Sequence, residues 1–204
     1  MAKKLGKIEK PPAEKYRTGR KLFFAPLIFT PREPQADFLK LINSYWSQVE
    51  AQVSKLEAML NDVDRVYHEL ITVGGKKGMK VIEKLNSGSY QVARTRVKKG
   101  AKLQPIEDDE LLTEFMDWSK CLAVGLQNQK VFTRVYESYI EVQKRRNNHI
   151  TKQIDKTLKS NGTGILLMRE GHQLQFPSDI EVFYIAPPSL DEIKRWLRAR
   201  GAEA

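Results

Sequence analysis

The sequence predicts a helix-dominated α+β protein: a bundle carried by two long helices, closed by a small C-terminal β-hairpin or meander and a capping helix. Three observations predict it. Apolar residues recur at helical spacing from Ala36 onward and again from Gln129 to Ser160. Runs rich in β-branched and aromatic residues appear beyond residue 160. The chain has 204 residues, of which 41% are hydrophobic, enough to bury one real core.

Taken in order, residues 1–21 combine Lys, Pro and Gly with few apolar anchors and read as a disordered basic arm. Residues 22–35 differ. Leu22, Phe23, Phe24, Leu27, Ile28 and Phe29 are too apolar to stay in solvent, while Pro26, Pro31 and Pro34 argue against a regular helix or a central strand. The segment is therefore expected to lie extended against a helix as a hydrophobic strap.

From Ala36 to Ile71 a heptad repeat fills three adjacent columns, led by Ile42, Phe38 and Leu39, and fourteen of its fifteen sites are apolar or aromatic. Uninterrupted by Gly or Pro, it predicts one helix of roughly 50 Å at 1.5 Å per residue. Three columns are wider than a two-stranded coiled-coil seam, so the helix is placed in a bundle, with homo-oligomer contacts through it as an expectation.

Gly74-Gly75 ends that helix. Short helices follow at Lys76 to Leu85 and at Tyr90 to Lys99, the second capped from Asn86-Ser87-Gly88-Ser89. Asp108 to Leu126 reads as a helix with acidic residues in its first turn, where the helix dipole favours them. Gln129 to Ser160 is the second long helix, with Val135, Tyr139, Val142, Ile150, Ile154 and Leu158 as its apolar stripe. These elements make residues 36–160 a helical bundle. Residues 161–204 form a small β/α unit packed on it: strands at Gly164 to Met168 and Ile180 to Ile185, a third short strand at His172 to Phe176, then a capping box from Ser189 to Glu192.

Charge is blocky. Thirty-five Lys and Arg against 25 Asp and Glu leave +10 overall. Residues 73–103 carry +8, 104–125 carry −5 and 126–160 carry +5. Basic residues also repeat at spacings of three and four: Lys76, Lys77, Lys80 and Lys84; then Arg94, Arg96, Lys98, Lys99 and Lys102; then Arg145, Lys152, Lys156 and Lys159 beside His149. A solvated face usually mixes signs, whereas these concentrate one. They are either partners of the acidic helix over 108–117 or a surface for an anionic partner.

One Cys and three His leave no disulfide framework and too few soft ligands for a structural zinc site. His68-Glu69 opens like a zincin helix, but Thr72 stands where the second His belongs. Gly74-Gly75-Lys76-Lys77-Gly78 lacks the spacing of a phosphate-binding loop. Cys121 lies beside an apolar face and reads as a buried small hydrophobe. No pattern points to a cofactor or a metal. The longest apolar run is far short of the ~20 residues a membrane span needs, and no signal peptide is evident, so the chain is expected to be cytoplasmic and off the membrane.

Function follows as three expectations. The first is non-catalytic binding through the basic helical faces to RNA or a ribonucleoprotein, placed ahead of DNA; without a reader helix or an aromatic RNP-type motif such contacts position the protein but specify no sequence. The second is an adaptor docking a protein partner through its long helix or an edge strand. The third is a small hydrolase centred on His172, with Glu170 and Asp179 near it in sequence; a pocket converging on the three would favour it.

Overall fold

The computed structural model describes residues 18–31 and 33–201. Residues 1–17, most of the basic arm, lie outside them. The described chain is helix-rich and mixed α/β, as expected, but its organising element is a five-stranded parallel sheet with six helices around it. The elements are β1 (Arg20–Pro26), α1 (Ala36–Met59), β2 (Arg65–His68), α2 (Gly75–Leu85), α3 (Ser87–Lys98), β3 (Lys102–Gln104), α4 (Asp109–Ala123), α5 (Gln129–Thr157), β4 (Thr163–Met168), β5 (Ile180–Tyr184) and α6 (Pro188–Gly201). Strand order is β3-β2-β4-β1-β5.

The expected strap is a strand. β1 pairs with β4 on one side and β5 on the other, and Leu22, Phe23, Phe24 and Ala25 are all buried. Pro26 is tolerated because it is the last residue of β1. Lys21 and Leu27 donate toward β4 and the Phe24 carbonyl accepts from Ile185 on the β5 side, so the N–H missing at Pro26 falls beyond the end of β5.

The long helix expected over Ala36 to Ile71 divides. α1 stops at Met59, and Val66 and Tyr67, which continued the heptad columns, lie in β2. β2 is buried on both faces, and such a strand reads as a continuous apolar run that periodicity alone does not separate from helix. The expected C-terminal hairpin is likewise replaced. β4 and β5 do not pair with each other; both run parallel to β1, and the 169–179 connection between them contains no strand. Ser189 does not cap α6: it lies inside the helix, which begins at Pro188, and its hydroxyl donates to Gln48 Oε1 on α1 at 3.0 Å.

Alternation along the strands sorts the core into two layers. Phe23, Ala25, Val66, Ile165 and Leu167 face α1, α2, α3 and α6, while Leu22, Phe24, Tyr67, Leu166 and Met168 face α5. α4 packs back against α5, with Phe115 and Tyr139 5.3 Å apart. The apolar columns of α1 supply Phe38, Ile42, Tyr45, Trp46, Val49 and Val53 to the first layer, so the face on which an oligomer contact was expected is inside the molecule. Cys121 is exposed on α4 rather than buried.

Candidate functional site

All strands being parallel, their carboxyl ends gather at one edge of the sheet. The chain leaves β2 toward β3 on one side and leaves β4 toward β5 on the other, although β2 and β4 are neighbours. Connections that diverge in this way open a crevice beyond the strand ends, the usual location of ligand sites in open parallel sheets. Here a cleft of about 220 Å³ is lined by Glu69, Phe115, Tyr139, Gln143, Arg146, Asn147 and the 168–172 segment.

Glu69, Arg146 and Arg169 are among its charged lining, and Glu107 holds Arg146 from behind it. Tyr67 and Glu69 alternate onto the α5 side of β2, which points Glu69 at Arg146 in the middle of α5. Arg146 donates from Nε to Glu107 Oε2 at 2.8 Å and from Nη2 to both Glu107 and Glu69 Oε1, the latter at 3.3 Å. Its guanidinium lies 4.6 Å over the Phe115 ring. Arg169, just past β4, donates to Glu69 from its backbone N–H at 3.0 Å and from Nη2 at 2.8 Å. Glu69 and Glu107 are buried, as is Arg146, whereas half of the Arg169 side chain is exposed. The Nη1 nitrogens of both arginines make no hydrogen bond among the described residues, so each guanidinium keeps donors for a ligand.

Electrostatics matches this geometry. Burial pushes the Glu69 carboxyl up, but the Arg169 hydrogen bonds outweigh it and hold Glu69 below the ordinary carboxylate range. Burial opposes the Arg146 charge, and Glu107 raises it back above the usual value. Glu69 is therefore an anionic anchor that orients guanidiniums rather than a free base.

His172 lines the same cleft, its ring edge-on to Phe24 at 4.7 Å. Burial lowers its pKa, partly offset by the charge of Glu69. Its Nδ1 accepts from the Leu174 N–H at 3.3 Å, which leaves Nε2 as the protonated nitrogen of the neutral ring. Glu170 also borders the cleft, but its carboxylate is engaged by Tyr184 Oη and by Lys194 Nζ at 2.7 Å. Asp179 is elsewhere: it binds Arg20 at the start of β1. Of the expected trio, the structure brings His172 and Glu170 together without Asp179.

Backbone geometry at the cleft is also unusual. Leu70, directly after Glu69, has φ of 69°, a left-handed conformation rare for leucine. Its N–H donates to Glu107 Oε1 at 3.1 Å, so the carboxylate that orients Arg146 also holds this turn. His68 points the other way. It is fully buried beneath α3, with Nδ1 donating to the Glu69 carbonyl and Nε2 3.0 Å from Ser89 Oγ, and burial lowers its pKa to about 4. Among the described residues no three His, Cys, Asp or Glu side chains cluster to hold a metal ion.

The basic residues singled out from the sequence are distributed over the molecule. Lys76, Lys77, Lys80, Lys84, Arg94, Lys98, Lys99 and Lys102 are exposed on α2, on α3 and its C-cap, and at the start of β3. Arg145, Lys152, Lys156 and Lys159 are exposed on or just after α5, across the sheet, so the ladders do not make one continuous face. Arg145 pairs with Glu114 of the acidic helix at 2.7 Å, and Lys99 approaches Glu57 and Asp62. Arg96 is not a surface residue: it is fully buried and paired with Glu50 and Glu57 of α1.

Glu107, Arg146 and Arg169 were not singled out from the sequence, and Glu69 entered only as part of the incomplete zincin-like pair. Arg146 had a signal: Val142, Arg146, Ile150, Ile154 and Leu158 follow at spacings of four, which puts a cation in the apolar stripe of α5. The other three acquire meaning only when strand ends converge. Comparison with family models, curated proteins and solved structures finds no match for this chain.

Proposed function

We propose that the protein is a small-molecule hydrolase whose active centre is the strand-end cleft. The observation that carries this reading is the convergence of Arg146 and Arg169, oriented by buried carboxylates, with His172 at one concave site. Guanidinium donors with fixed orientation suit an oxygen that is anionic or becomes so during hydrolysis, such as that of a carboxylic or phosphoric ester. His172, whose imidazole burial keeps toward the neutral form, is the group able to carry a proton to or from the leaving oxygen.

The test is turnover of chromogenic carboxylic and phosphoric esters by the wild-type chain and by His172→Gln and Arg169→Ala. Hydrolysis of one ester class should fall by on the order of 100-fold in His172→Gln, the usual scale of acid–base participation, with unchanged melting. Turnover indifferent to both substitutions, or none with any ester class, would overturn the proposal.

A second reading, binding of RNA or another anionic partner, is favoured by one observation. Lys77, Lys80, Lys84, Arg94 and Lys98 are exposed on α2 and α3, and none of them forms an ion pair among the described residues. In this reading log affinity falls with log salt by about 0.7 per phosphate contact for a single strand. Reversing Lys80, Lys84, Arg94 and Lys98 together should flatten that slope without affecting folding. Affinity unaffected by the reversal would leave protein docking by an edge strand as the remaining non-catalytic role.

A further inference from the structure

A second concavity adjoins the cleft. A groove of about 470 Å³ lies between α5, which lines it with Gln143, Asn147, Asn148 and Thr151, and the connection after β4, which lines it with Gln173 and Gln175. Gln143 and Asn147 line the cleft as well, so a ligand can occupy both spaces at once. The connection is built for this. Leu174 and Phe176 pack against the core layer that faces α5, and the residues alternating with them, Gln173 and Gln175, are left exposed at the groove.

Carboxamides dominate the lining. Asn147 distinguishes it from an ordinary solvated surface: the residue is only 8% exposed, directly after Arg146 on α5, yet its side chain makes no hydrogen bond among the described residues. A buried carboxamide without a partner is costly and uncommon in a folded chain. Its neighbours have the same capacity to spare. Asn148, Gln173 and Gln175 make no side-chain hydrogen bond among the described residues, and Gln143 makes one, from Nε2 to Tyr139 Oη at 3.5 Å.

We propose that the groove holds the sugar portion of a sugar phosphate, with the phosphoryl group at Arg146 and Arg169 and with Asn147 as the residue that selects the sugar. The assignment rests on the hydrolase reading for which end of the ligand reacts. A carboxamide donates and accepts at once, as a hydroxyl does, so a row of carboxamides is matched by a ligand rich in hydroxyls. Nucleobases are held largely by stacking on rings, and no aromatic side chain lines the groove among the described residues.

Charge selects an anionic ester. No carboxylate lines the groove among the described residues, while Lys144 and Lys152 are exposed there and form no ion pair among them. A phosphoryl group offers three acceptor oxygens to the donors of two guanidiniums. His172 immediately precedes Gln173, so the proton-carrying residue and one wall of the groove belong to the same stretch of chain.

Calorimetric titration of the full-length chain with glucose phosphate, ribose phosphate and phenyl phosphate tests the groove, and assay of released phosphate tests turnover of the same esters. One of the sugar phosphates should bind tighter than phenyl phosphate by about tenfold or more, the scale of one or two hydrogen bonds to hydroxyls. Asn147→Leu should melt at or above the wild type, because it removes a buried unpaired carboxamide, and should bring the two affinities together. Gln175→Ala, at an exposed position, should narrow the gap, whereas Arg169→Ala should weaken sugar and phenyl esters alike. Equal affinity in the wild type, a preference that survives Asn147→Leu, or adenosine monophosphate binding tighter than both sugar phosphates would each overturn the assignment. Preferential binding without phosphate release would sink the hydrolase reading and leave the sugar site standing; release from every ester without preference would do the reverse.

Discussion

His68 and Leu70 flank Glu69, and each makes a separate demand on the fold. The His68 pKa, lowered to about 4 by burial, lies below the ordinary value of 6.5. Between those values the unfolded chain binds a proton that the folded chain rejects, so stability rises with pH across this window and is lost as pH falls from about 6.5 to about 4. The full contribution is on the order of 3 kcal/mol. Urea titrations of the wild type and His68→Gln at a series of pH values check it: the variant should show a shallower slope in that window, the remainder coming from His172, whose pKa burial also lowers, and an undiminished slope would overturn the assignment to His68. Leu70 is held left-handed, a conformation a β-branched side chain opposes most. Leu70→Val should therefore cost about 2 kcal/mol or more, while Leu70→Gly, which removes more apolar surface but relaxes the backbone, should cost less. Thermal melting ranks the two, and the reverse order would show that packing outweighs backbone conformation there.

At the scale of elements, the helices were legible wherever caps and periodicity agreed. α2, α3, α4 and α5 lie within a few residues of the ranges read from spacing, and Asn86 caps α3 by accepting from the Ser89 N–H at 2.8 Å. Where they packed was not legible. The start of α3 approaches α1 so closely that a Cβ on Gly88 would come within 2.3 Å of the Trp46 ring. Gly88→Ala should therefore displace Trp46 and cost several kcal/mol, as overpacking at its worst does. Melting and tryptophan fluorescence of the variant report both effects, and an unchanged spectrum with unchanged melting would place α3 farther from α1. Arg96 illustrates the same limit. Its neighbours Arg94 and Lys98 are exposed, so a basic ladder in the sequence contained one residue that serves as an internal tie between α3 and α1.

For the whole molecule, the parallel sheet interlocks distant parts of the chain, since β1 from the N-terminal region sits between β4 and β5 from the C-terminal region. A fragment ending at residue 160 loses both neighbours of β1 and the inner neighbour of β2, so it should not fold as a separate helical bundle. Near-ultraviolet circular dichroism and denaturant titration of the fragment provide the check, and a cooperative transition would restore the bundle with an appended unit. By itself the sequence determined a helix-rich protein with strand-forming runs, most helix boundaries and a blocky positive charge, because propensity, capping and charge are properties of short segments. Only the tertiary structure decided that the strap is an internal strand, that Val66 and Tyr67 of the heptad pattern belong to β2, and that Glu69, Glu107, Arg146, Arg169 and His172 meet. Strand partners are chosen by burial across long separations, and a strand buried on both faces carries the same apolar run as a helix core. A site made where parallel strands end exists only once their order is set.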